Sequence, residues 1–186
     1  MAGRLKSGMF QRSMTSPMYF GRNVTSTKIF ENGMCLRVLI FFLMFCEANS
    51  FNQDIGEWNM SNATSLQAMF DGAESFNHPL PWNTSNVIIM SYVFHGALSF
   101  NGDISRWNTA NVTSMENMFI GAVLFNCDIS GWDTSNVTNM SGMFNGASDF
   151  NGNISRWNTT NVTNMVAMFF GALRFNCDIS GWDTSN

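Results

Sequence analysis

At 186 residues the chain is long enough for one domain of ordinary size. Only 12% of its residues are charged, yet it carries 18 Phe and 6 Trp, an aromatic load that excludes a disordered chain and leaves solubility to Asn, Ser and Thr. The net charge of −4 divides unevenly, with +4 through Ser50 and −8 from Phe51 onward; so acidic a body argues against a nucleic-acid partner, which needs basic groups to displace counterions.

Residues 1–33 contain Arg4, Lys6, Arg12, Arg22 and Lys28 with no acid before Glu31, and are rich in Ser and Thr. That composition suits an organelle-targeting peptide or a basic tail. Residues 34–50, MCLRVLIFFLMFCEANS, hold an unbroken apolar run of nine from Val38 to Cys46, too short to span a bilayer. Two readings compete. Arg37, the apolar centre, Ala48 and Ser50 resemble a secretory signal. Alternatively, Val38, Met44-Phe45, Ala48 and Phe51 fall in the register of the copies that follow, at the expense of exposing Leu39, Ile40, Phe42 and Leu43. Residues 1–50 are therefore taken as a basic, targeting- or signal-like region grading into a degenerate coil.

From Phe51 the chain repeats itself about every 25 residues, with copies beginning at Phe51, Phe76, Phe100, Phe125, Phe150 and Phe175. Self-similarity at such a period marks stacked repeats, in which each unit buries its apolar face against its neighbours. The second copy is one residue short, and Pro79 and Pro81 remove backbone donors there, so a local irregularity is expected. A longer period of 50 pairs Gly102 and Arg106 with Gly152 and Arg156, and Cys127 and Gly131 with Cys177 and Gly181. The last copy stops mid-repeat at Asn186, so the repeat domain is taken as 51–186 with an incomplete final copy.

Within a copy, Met115, Met118, Phe119 and Ala122 are spaced i, i+3, i+4, i+7, one face of a short helix. Thr113-Ser114-Met115-Glu116 reads as its capping box, and Gly121 as a left-handed stop. The segment FNGDISRW predicts a strand of a few residues with a bend before Trp107, because Ile104 and Trp107 are three apart and cannot share a strand face. Stacking would align Trp58, Trp82, Trp107, Trp132, Trp157 and Trp182 in a core ladder, beside the leading Phe and the Met-Phe pairs. Two Asn ladders are read as structural. One follows the leading Phe (Asn52, Asn77, Asn101, Asn126, Asn151, Asn176) and the other sits before Val or Ala (Asn62, Asn86, Asn111, Asn136, Asn161); both can bond backbone groups of neighbouring coils.

The string FNxDISxWxTSNVTxMxxMFxGAxxF resembles the repeat of BspA-like leucine-rich-repeat surface proteins, closely over 51–186 and more weakly back to Met44. The resemblance implies an α/β repeat fold, a leucine-rich-repeat-like right-handed solenoid with about one short strand and one short helix per 25-residue coil. It also implies an extracellular or cell-surface interaction protein. The chain departs from that pattern at Met1, where no lipoprotein-type signal stands.

No catalytic, cofactor-binding or metal-binding residues are assigned. An enzyme needs converging acids, bases or nucleophiles, whereas His78 and His95 fall in different copies with no Cys or acid cluster beside them. Asp54, Asp103, Asp128 and Asp178 form a sparse row broken by Pro79 and Asn153; solvation or turn bonds account for it, with calcium the one alternative weighed. Cys127 and Cys177, two coils or roughly 10 Å apart at strand-like spacing, are too far apart for a disulfide and are read as small buried groups. Ten N-x-S/T sequons arise from the repeat itself. The expected function is a non-enzymatic, adhesion-like module for an unknown protein or glycan ligand, with no nucleic acid and no integral membrane span. The alternative is a structural or surface-coat protein that self-associates through exposed coil ends. Variable positions such as Arg106, Glu116, Asp149 and Arg174 are where function is expected.

Overall fold

In the computed structural model, which describes residues 25–31 and 34–186 and side chains from Phe41 onward, backbone pairing runs between copies of the repeat. β1 (Thr25–Glu31) lies antiparallel to β2 (Met34–Ile40), and β2 lies parallel to β3 (Ala63–Ser65). Beyond Ser65 the parallel pairing continues at a single residue per copy, through Ile89, Ser114, Asn139 and Asn164. Successive copies are thus stacked coils. Apart from the backbone of β1, the targeting-like stretch of residues 1–33 lies outside the described residues.

Residues 115–122 account for every backbone donor they own. The N–H groups of Met115, Asn117, Phe119 and Gly121 donate across to the next coil, to the carbonyls of Asn139, Ser141, Met143 and Asn145 over 2.8–3.0 Å. Those of Met118, Ile120 and Ala122 donate three residues back, to Met115, Asn117 and Phe119. The Glu116 N–H goes to the Ser114 hydroxyl. The preceding coil in turn donates from Met90, Tyr92, Phe94 and Gly96 to the carbonyls of Ser114, Glu116, Met118 and Ile120. Asn117 and Gly121, with φ of 55° and 65°, are the third residues of two successive reverse turns, the position where a type II turn requires positive φ. The same pair of left-handed positions, four apart, recurs in all six coils: 43 and 47, 68 and 72, 92 and 96, 117 and 121, 142 and 146, 167 and 171.

This geometry overturns the α/β, leucine-rich-repeat-like right-handed solenoid. Among the described residues there is no helix. A residue of positive φ every fourth position breaks the i→i−4 bonding of an α-helix and leaves a chain of turns. Nor is FNGDISRW a strand. The N–H that would pair there is taken by a side chain, as Asn126 N–H donates to Asn101 Oδ1 at 2.9 Å. The bend before Trp is present, as a turn closed by Trp107 N–H on the Ile104 carbonyl. In the second copy, one residue shorter, Trp82 N–H closes instead on Leu80, two residues back, the local irregularity expected around Pro79 and Pro81.

Three aromatic columns fill the coils. Phe70, Phe94, Phe119, Phe144 and Phe169 stack at 5.4–5.7 Å between centroids. The leading Phe76, Phe100, Phe125, Phe150 and Phe175 stack at 5.8–6.1 Å. The Trp column from Trp82 to Trp182 stacks at 6.2–6.4 Å. The two Phe columns meet within each coil, Phe119 against Phe125 at 3.8 Å. Burying a Phe is worth about 1.5–3 kcal/mol and a well-placed aromatic pair about 0.5–1.5 kcal/mol more, so these columns carry much of the stability.

Residues 41–50 stand in the place of a first turn segment. Leu43, Phe45 and Glu47 donate to Gln67, Met69 and Asp71, and Phe45 stacks on Phe70 at 5.4 Å. Of the apolar residues that this register was expected to expose, Phe42 is exposed and Leu43 half-buried.

Replacing Phe119 with Ala, at the junction of two columns, is expected to cost about 3–5 kcal/mol in urea unfolding, against under about 0.5 kcal/mol for the exposed Val123→Ala. Gly121→Ala should cost about 1 kcal/mol. A Cβ there meets nothing nearer than the Gly96 Cα at 3.9 Å, so the loss is conformational and not steric.

Candidate interaction face

Most recurring polar groups are already engaged in tying coils together. Each leading Asn accepts through Oδ1 the N–H of the Asn one coil on, from the Asn52–Asn77 pair to the Asn151–Asn176 pair, at 2.8–3.0 Å. Asn86, Asn111, Asn136 and Asn161 donate through Nδ2 to a carbonyl of the preceding coil at 2.7–2.8 Å. Both ladders bond as expected for structural Asn, although their side chains are exposed. Each Trp from Trp82 to Trp182 donates its indole N–H to the preceding coil's Ile or Leu carbonyl. A further ladder escaped sequence reasoning. Thr84, Thr109, Thr134 and Thr159 are buried, each donating its hydroxyl to a carbonyl of the following coil. Its signal was available, as the Thr two residues after each Trp from Trp82 to Trp182.

The acidic row resolves into turn bonds. Asp54, Asp103, Asp128 and Asp178 each accept the N–H two residues on, at 2.9–3.0 Å, and Asn153 does the same at 3.1 Å. Asp and Asn interchange in this row because the turn uses only a side-chain oxygen. Among the described residues no group of three His, Cys, Asp or Glu could hold a metal ion. Cys127 is half-buried, accepts the Ile104 N–H at 3.5 Å, and its thiol is pushed up mainly by burial. His78 contacts the Asn52 carbonyl at 3.2 Å. Of the variable positions, the exposed Arg174 and the half-buried Asp149 form an ion pair at 3.1 Å, and Arg106 is exposed.

Glu116 belongs to a different arrangement. Tyr92 occupies a left-handed position at φ 61°, where the other coils carry Leu43, Ala68, Asn117, Gly142 and Ala167. A bulky residue there is an outlier that costs about 1–3 kcal/mol unless its surroundings hold it. They do. Asn117 Nδ2 donates to the Tyr92 hydroxyl at 2.7 Å, and that hydroxyl faces Glu116 Oε1 at 3.5 Å. Asn139 Nδ2 donates to Glu116 Oε2 at 3.3 Å, and Asn117 Nδ2 also faces Oε1 at 3.4 Å. The Tyr92 ring meets His95 edge-on at 5.9 Å, and His95 Nδ1 lies 2.6 Å from Asp71 Oδ1. Asn117 can lean this way because its Oδ1 occupies the space that a Cβ on Gly142 would fill. One half-buried polar network therefore crosses four coils. His95 has a single carboxylate beside it, Asp71, because residues 24 apart in sequence become neighbours on stacking.

The turn bonds hold several exposed carboxyls below the usual range. Hydrogen bonds from the Ser two residues on are the main cause at Asp103, Asp128, Asp133, Asp178 and Asp183. A folded-state value below the unfolded one of about 3.9 gives stability that is present above that pH and lost as pH falls through the lower value. The thermal midpoint should therefore drop on acidification below about pH 4. Asp128→Asn keeps the turn bond, as Asn153 does, and should reduce that drop while leaving the midpoint at pH 7 unchanged.

Among the described residues no helix is long and apolar enough to cross a membrane. The family described as "Mycoplasma protein of unknown function, DUF285" matches the chain at residues 40–135 and 124–186. No curated protein and no solved structure matches it.

Proposed function

Because the chain belongs to the DUF285 family, which its repeat carries from residue 40 to 186, we propose that it is a non-enzymatic interaction protein, secreted or held at the cell surface. Its resemblance to BspA-like surface proteins supports that location and an adhesion-like role toward a protein or glycan ligand. The observation that carries the reading is the division of labour among side chains. Recurring residues are engaged in stacking and in coil-to-coil bonds, while non-recurring Tyr92, His95 and Glu116 gather on one outward network. Nothing in that network is arranged as a nucleophile with its base.

The second reading is a structural or surface-coat protein that self-associates.

Binding of labelled protein to cultured cells and to an oligosaccharide array, with light scattering from micromolar to hundreds of micromolar, tests both readings. A monomer that binds cells or array spots is expected. A protein that binds neither and grows with concentration would sink the interaction reading in favour of the coat.

A further inference from the structure

We propose that the network centred on Tyr92 and Glu116 is a binding subsite for a neutral carbohydrate. The inference rests on the interaction reading above and names its ligand class and place. Four observations carry it. First, Tyr92 is the one aromatic among the six residues at this left-handed position, the others being Leu43, Ala68, Asn117, Gly142 and Ala167; a bulky ring kept at a strained position points to use there. Second, the ring is fixed before any ligand arrives, by Asn117 on its hydroxyl and by His95 against its edge. Gly142 leaves Asn117 the room to do this. Preorganisation of this kind lowers the ordering cost of binding.

Third, the polar atoms around the ring are mixed in kind. Glu116 offers carboxylate acceptors, and the Asn117 and Asn139 amides offer both donor and acceptor. His95 Nδ1 is engaged by Asp71 at 2.6 Å, which leaves its second ring nitrogen, Nε2, to face a ligand hydroxyl. A sugar presents the complement, hydroxyls that donate and accept beside an apolar C–H face that packs on an aromatic ring. Fourth, the charge selects against the rivals. Asp71 and Glu116 repel anionic groups such as sialic acid or sulfate. Neither carboxylate stands bare for a cationic side chain, since Asp71 is paired with His95 and Glu116 with the amides.

The test uses the whole chain on an array of neutral oligosaccharides with sialylated and sulfated counterparts, followed by calorimetric titration of the best neutral hit. Three variants separate the roles. Tyr92→Asn installs the residue that the next coil carries at this position, so the thermal midpoint should hold or rise while affinity falls at least tenfold. Glu116→Gln keeps the shape and removes the charge; binding of the neutral sugar should change by only a few-fold. Gly142→Ala displaces Asn117 and should weaken binding without touching the ligand. Selective binding of neutral glycans, lost in Tyr92→Asn with folding intact, supports the subsite. Glycan binding that survives Tyr92→Asn overturns the subsite and leaves the interaction role standing. Preference for acidic glycans, or for a lysine-rich peptide whose binding Glu116→Gln abolishes, overturns the ligand class. A chain that binds neither cells nor glycans overturns the interaction reading with it.

Discussion

The stack depends on how the turn segment divides its backbone hydrogen bonds. Alternate N–H groups point to the next coil, and the intervening ones close turns within their own. Both conditions are met only if the chain reverses handedness at every fourth residue, which places positive φ at two positions per coil. No donor in that segment is left over, which matters because the segment is buried on its inner side and an unpaired donor there would cost about as much as a lost hydrogen bond. The aromatic columns follow from this spacing. Once coils are held one hydrogen bond apart, equivalent Phe and Trp rings have no choice but to stack at about the 5.4–6.4 Å seen between centroids.

The same constraint decides where variation is tolerated. Inward positions are set by the columns, the Asn and Thr ladders by bonds between coils, and the Asp row by turn bonds within each coil. Outward positions of the turn segment carry neither duty, and there the copies differ most. Tyr92, His95, Glu116 and Asn139 are each unremarkable in their own copy. Stacking lays the copies side by side, so three separate departures from the repeat, Tyr92, His95 and Glu116, become one network with Asn139. The left-handed position adds something beyond proximity. A Tyr there is held by its neighbours and not by its own backbone preference, so its orientation belongs to the assembled stack.

Much of this was legible in the residues. The period, the stacking, the Phe and Trp columns, the bonding of both Asn ladders and the irregularity at Pro79 and Pro81 all follow from the recurrence itself. The helix did not follow. Over residues 115–122 a repeat of four turns the same side chains inward as a helix of 3.6, and eight residues are too few to tell them apart. The discriminating clue was present in Gly and Asn recurring four apart, at Asn117 and Gly121 and at Gly142 and Gly146, residues that suit left-handed turns and weaken helices. The strand in FNGDISRW failed for another reason. Asn oxygens and indole N–H groups took the partners that a backbone ladder would have used.

By itself the sequence determined that the chain stacks, at what spacing, and which side chains face inward, because those properties need only a repeated pattern of apolar groups. The tertiary structure decided two things. One is the local conformation of the coil, which depends on where each N–H finds its acceptor, and half of those acceptors lie about 25 residues away in the next coil. The other is the outward network, since His95 and Asp71, or Glu116 and Asn139, meet only across coil boundaries.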